Sequence, residues 1–107
     1  MAKQDHACVI TGCAVQESLD AAHIVPFAEG RAQRDFVSNG LLLRCDIHRL
    51  FDRHLISIDP TNLTVLLNPS LRDSDYWGYG GLEIETEASR SALKEHFHRY
   101  QLKLKQA

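Results

Sequence analysis

The chain has 107 residues, 44% of them hydrophobic and 24% charged, which describes one globular domain with a modest core. No apolar run approaches the ~20 residues needed to span a bilayer, and the opening Met1-Ala2-Lys3-Gln4-Asp5-His6 lacks the hydrophobic stretch of a signal peptide, so a cytoplasmic protein is expected. The net charge of −2 cuts against binding to nucleic acid through its phosphates, unless basic residues cluster on one face or another domain or subunit supplies the grip.

The first seven residues read as a loose tail. Cys8-Val9-Ile10-Thr11-Gly12-Cys13 is a short strand-like run closed by a turn at Gly12. Leu19 to Val25 is the next extended candidate, ended by Pro26. Residues 29–38 are polar and read as a loop that approaches a ligand. Leu41-Leu42-Leu43 is a buried strand opened by the turn pair Asn39-Gly40. Asp46 can cap a short helix from Ile47 to about Arg53. On that helix Ile47, Leu50 and Phe51 recur at the spacing of a core face, and His48 and Asp52 lie one turn apart.

Leu55–Asp59 and Leu63–Leu67 are strands joined by Pro60-Thr61-Asn62, a hairpin pattern. Tyr76 to Gly81 is a loop of glycines and aromatics, followed by a brief strand at 82–85. The longest helix is expected from Glu87 to Lys105, with an apolar stripe of Leu93, Phe97, Tyr100 and Leu104. Lys103 and Lys105 suit the negative end of its dipole. No repeat, low-complexity stretch or linker interrupts this order.

The chemistry-bearing residues concentrate between His23 and Asp52. A strand, a return strand and a short helix make a compact unit, in which a His at the end of the first strand is expected to point toward the helix. A phosphate held between the two needs a base to deprotonate water, and neutral His suits that near pH 7. It also needs a divalent metal to polarise the phosphate, and a group that fixes the imidazole in one orientation.

Three pieces of wording carry a resemblance: Ala21-Ala22-His23-Ile24-Val25-Pro26, Asn39-Gly40-Leu41-Leu42-Leu43-Arg44 and Asp46-Ile47-His48-Arg49-Leu50-Phe51-Asp52. In this order they resemble the HNH nuclease family, over roughly Cys8 to Pro60. The resemblance implies an α+β fold: a ββα-metal (His-Me finger) core with additional short antiparallel strands and a C-terminal helix, in one domain over 1–107. It implies a metal-dependent endonuclease with His23 as general base and Asn39 as the residue that orients the base or its loop. His48 then binds the metal, with Asp52 as a second ligand. The implied cofactor is Mg²⁺, with Mn²⁺, Ni²⁺ or Zn²⁺ as alternatives, and the implied substrate is DNA, although these residues do not exclude RNA. Many such enzymes carry a metal ligand immediately before the base. Here that position is Ala22, and Asp20, on the same strand face, can replace the missing ligand or hold a metal-bound water, with water otherwise filling the place, which Mg²⁺ tolerates.

Each of these residues also has a plain structural role open to it. Asn39 can be a turn residue, His48 a helix-surface His, Asp52 a partner of Arg49 or Arg53, and Asp20 a surface carboxylate. Arg44, Arg49 and Arg53 are candidates for the substrate phosphate through their planar forks, with Arg31 and Arg34 nearby. Three cysteines, an odd number, argue against disulfides. Cys8, Cys13, Cys45 and His48 would make a chemically sensible zinc site, set against buried free thiols. His96 and His98 read as packing and surface residues. The missing ligand and the acidic balance also allow a nuclease-like module that binds without cutting, or that needs a targeting domain or subunit.

Overall fold

A computed structural model describes residues 6–25 and 36–106. Residues 1–5 of the expected seven-residue tail and most of the polar loop, with Arg31 and Arg34, lie outside the described residues. The strands and helices run β1 (Leu19–His23), α1 (Phe36–Asn39), β2 (Gly40–Arg44), α2 (Cys45–Asp52), β3 (Ile56–Ile58), β4 (Val65–Leu67) and α3 (Arg90–Lys105). This is a small α+β fold with two two-stranded antiparallel sheets, β1 with β2 and β3 with β4. No described helix is long and apolar enough to cross a membrane.

Pairing of β1 with β2 sets Asp20 opposite Leu43, Ala22 opposite Leu41 and His23 opposite Gly40. Side chains alternate along a strand, so Ala22, Leu41 and Leu43 share the buried face. Helix α2 covers that face. Its Ile47 and Phe51 are fully buried, each at about 1.5–3 kcal/mol of apolar transfer. Leu50 packs at the edge of the same core.

Helix α2 starts two residues earlier than expected, and Asp46 does not cap it. Arg44, in an extended conformation and without a side-chain cap bond, is the N-cap. Asp46 instead spends both carboxylate oxygens on the Arg44 guanidinium, at 2.7 and 3.0 Å. At its other end the helix closes in a Schellman motif. The Leu55 amide donates to the Leu50 carbonyl and the His54 amide to that of Phe51. His54 takes the left-handed position at φ 59° where glycine is usual, and the helix ends within one residue of the expected Arg53.

Four other expectations change. Cys8–Cys13 is a turn and not a strand: the Thr11 amide donates to Cys8 Sγ and the Cys13 amide to Thr11 Oγ1. The segment after Gly81 forms one isolated bridge, Thr64 with Glu83, along the outer edge of β4. Asn39 and Gly40 are the end of α1 and the start of β2, not a turn pair. The Tyr76–Gly81 stretch carries a 3₁₀ helix over Asp75–Tyr79.

Helix α3 begins at Arg90 because Ser89 caps it, its hydroxyl accepting from the Ala92 amide at 3.2 Å. Its buried face is Leu93, His96 and Tyr100, with Phe97 only half-buried. His96 stacks on Phe51, with ring centroids 3.7 Å apart. Its Nε2 lies 2.8 Å from the Phe51 carbonyl oxygen, which can only accept, so Nε2–H donates there. Its Nδ1 then accepts from the Ser57 hydroxyl at 2.7 Å. One neutral imidazole thus joins α3, α2 and β3.

Burial holds His96 neutral and pushes its pKa down from 6.5 to about 4. The unfolded chain binds the extra proton first, so stability should be full above about pH 6.5. It should fall between 6.5 and 4, by an amount of order 3 kcal/mol. Urea unfolding of the parent and of His96→Gln across that range should show a flatter pH dependence in the variant. Parallel curves would show that His96 is not the titrating group.

Candidate metal and active site

The buried face of β1 ends in a polar edge. Asp20 has the same parity as Ala22 but lies nearer the start of the strand, where its carboxylate reaches the helix. Asp20 Oδ2 is 2.9 Å from His48 Nδ1. On the other side of the ring, His48 Nε2 is 3.1 Å from Oδ2 of Asp52, one turn along α2. All three side chains are part-exposed and line one open hollow of about 440 Å³, together with Cys45, Arg49 and Arg53.

The imidazole of His48 therefore stands between two carboxylate oxygens. A neutral ring has one N–H and one lone pair, so it can satisfy only one of them. Both contacts are satisfied when the ring carries two protons, or when a cation takes the place of one proton. The donor set of two carboxylates and one imidazole suits a hard divalent cation. Among the described residues, however, no three His, Cys, Asp or Glu side chains stand ready as a coordination shell. Binding would open one of the two contacts to His48.

Ala22 is 0% exposed against the core, so its position carries no ligand. His23 is exposed at the end of β1, opposite Gly40. Alternation directs Ala22 toward α2 and His23 to the other face of the strand. His23 is not among the residues lining the hollow.

Asn39 is 1% exposed. Its Oδ1 accepts from the Val25 amide at 2.9 Å, and its Nδ2 donates to the Val25 carbonyl at 3.0 Å. Its own carbonyl accepts from the Ile24 amide. Asn39 therefore fixes the backbone of the two residues that follow His23.

The three arginines separate. Arg49 and Arg53 share the hollow with His48. Arg44 lies on a second hollow with Asp46, Asp73, Asp75 and Tyr76, and its fork is taken by Asp46. That hydrogen bond holds the Arg44 guanidinium above its usual range and, helped by one from the Tyr76 hydroxyl, holds the Asp46 carboxyl at about 2. Tyr76 was not singled out in the sequence, where only its place in a Gly-aromatic loop was visible.

The cysteines do not gather. Cys8 is buried, Cys13 half-buried and Cys45 exposed at the start of α2. This corrects the picture of three buried thiols, and the described residues hold no zinc cluster.

Comparison with protein families matches residues 8–59 to the HNH endonuclease family. No curated protein matches the chain.

Replacing Asn39 by Ala should expose the role of its clamp. Two backbone groups of Val25 lose their partners at a buried site, at a cost of about 2 kcal/mol. Thermal unfolding should report that loss, and the Val25 amide should exchange hydrogen much faster than in the parent. Unchanged protection of Val25 would contradict the assignment.

Proposed function

Because residues 8–59 belong to the HNH endonuclease family, we propose that this chain is a divalent-metal-dependent endonuclease that hydrolyses phosphodiester bonds, with DNA as substrate. The observation that carries this reading is the convergence of Asp20, His48 and Asp52 in one open hollow with Arg49 and Arg53. In this reading β1, β2 and α2 are the ββα-metal core.

His48 and Asp52 would hold the cation, Mg²⁺ first, with Mn²⁺, Ni²⁺ or Zn²⁺ as substitutes. When bound it supplies Lewis-acid chemistry: it polarises the scissile phosphate and stabilises charge on the leaving 3′-oxygen. Asp20 was expected as a ligand in place of Ala22. Its bond to His48 Nδ1 supports a different task, accepting the N–H of that nitrogen so that the Nε2 lone pair is turned toward Asp52. His23 takes the proton of a water whose oxygen adds to phosphorus as the bond to the 3′-oxygen breaks. Its exposure supports access to both water and substrate. Asn39 positions His23 through Ile24 and Val25 and touches no reacting atom. Arg49 and Arg53 contact the phosphate backbone, and Arg44 serves the fold through Asp46.

Plasmid cleavage with Mg²⁺ or Mn²⁺ tests the reading. His23→Ala should lose about 10²–10⁴-fold in rate while metal affinity stays at the parent's value. Equal cleavage by His23→Ala and parent would remove His23 as the base. No cleavage by the parent would favour a nuclease-like module that binds without cutting or waits for a partner. Separately, Asp20→Asn should weaken metal binding by about 10–100-fold in calorimetry. An Asp20→Asn variant that binds metal as the parent does would remove Asp20 from the site.

A further inference from the structure

The charge around the hollow is close to balanced. Asp20 and Asp52 set two negative charges against the two positive charges of Arg49 and Arg53. The C-terminal end of α2 adds about −0.5 more. The hollow's own side chains therefore give a phosphodiester strand no net attraction.

The next cation comes from outside residues 8–59. Lys103, near the end of α3, donates from Nζ to the backbone carbonyl of Arg53 at 2.8 Å, at the protein surface. Its ammonium thus stands at the negative end of α2, beside a residue that lines the hollow. One of its three N–H groups is used in that bond, and two are left. Its charge, with that of Arg99, also reaches the neighbouring His54 and helps burial to lower the pKa of that ring. Arg99 shares its charge with Glu95 at 3.3 Å, whereas Lys103 has no carboxylate partner among the described residues. The plainer role for Lys103 is capping of α2, which would need only the bond to Arg53.

We propose that Lys103 is a phosphate-contact residue, forming with Arg49 and Arg53 one basic strip that grips the nucleic-acid backbone beside the hollow. The inference takes its substrate chemistry from the nuclease reading but does not depend on cutting.

The test is binding of a dye-labelled DNA duplex in EDTA, followed by fluorescence anisotropy over a salt series. Lys103→Gln should weaken binding several-fold at low salt and make the slope of log affinity against log salt shallower by about 0.9. Lys103→Arg should keep the parent slope, as should Lys94→Gln, which alters an exposed Lys on the opposite side of α3. Lys103→Met, which keeps the alkyl stem, replaces Lys103→Gln if that variant does not fold. A parent-like slope in the charge-removing variant, or a parent that does not bind in EDTA, overturns the inference. A parent that binds through Lys103 but cleaves nothing leaves it standing and removes the nuclease reading instead.

Discussion

The site depends on how α2 is held, and the bond that holds it is remote from the site. The Phe51 carbonyl near the end of α2 accepts from the buried His96, whose other nitrogen is occupied by Ser57 of β3 and whose ring lies flat on Phe51. An eight-residue helix is too short to persist on its own propensity. It exists here because one face is buried on β1 and β2 and its last turn is pinned by α3 and β3. His48 and Asp52 are carried on the neighbouring, wetter face of the same turns. Their spacing from Asp20 is therefore set by core packing, and a shift in the His96 contacts would be felt at the hollow.

The same economy appears in β1. Alternation gives Ala22 to the core, Asp20, of the same parity, reaches over the edge to α2, and His23, of the opposite parity, ends the strand exposed. A larger, ligating side chain at position 22 would have to displace Leu41 or Leu43 from a face that is closed. Moving the carboxylate back two residues keeps it on the helix side without opening the core. It also changes what the carboxylate touches, because from position 20 it meets the Nδ1 edge of His48.

Much of this was legible in the sequence, and what was not has specific physical causes. The strands β1 to β4 and the core face of α2 followed from short apolar runs and from the spacing of Ile47, Leu50 and Phe51. The pairing of His48 with Asp52 followed from helical periodicity. Asp46 was misread because it looks like a cap from its position alone, whereas a guanidinium two residues away binds both its oxygens more strongly than a backbone amide would. The end of α2 lies within one residue of its expected place, although a His, not a Gly, occupies the left-handed position. The stripe on α3 was drawn through Phe97 because hydrophobicity ranks Phe above His. A neutral His with both nitrogens bonded can be buried as readily, and Ser57 and Phe51 provide those bonds from elements far away in sequence. The separation of Arg44 from Arg49 and Arg53 was equally invisible, since it depends on which side of α2 each arginine leaves the chain.

That separation bears on how an acidic chain can meet a polyanion. Net charge sums over a surface, but a phosphate samples only the charges within about a Debye length, ~10 Å at moderate salt. Arg44 is neutralised by Asp46 in a hollow that also holds Asp73 and Asp75, so that face repels a phosphate strand. Arg49, Arg53 and Lys103 stand together at the other end of α2. The fold thus sorts the charges of a −2 chain into an acidic face and a nearly balanced one, where Asp20 and Asp52 offset the two arginines and Lys103 tips the sum toward positive. In the nuclease reading the acidic face sets where a strand can lie, because a phosphate backbone is disfavoured at the N-terminal end of α2 and so is left to its C-terminal end.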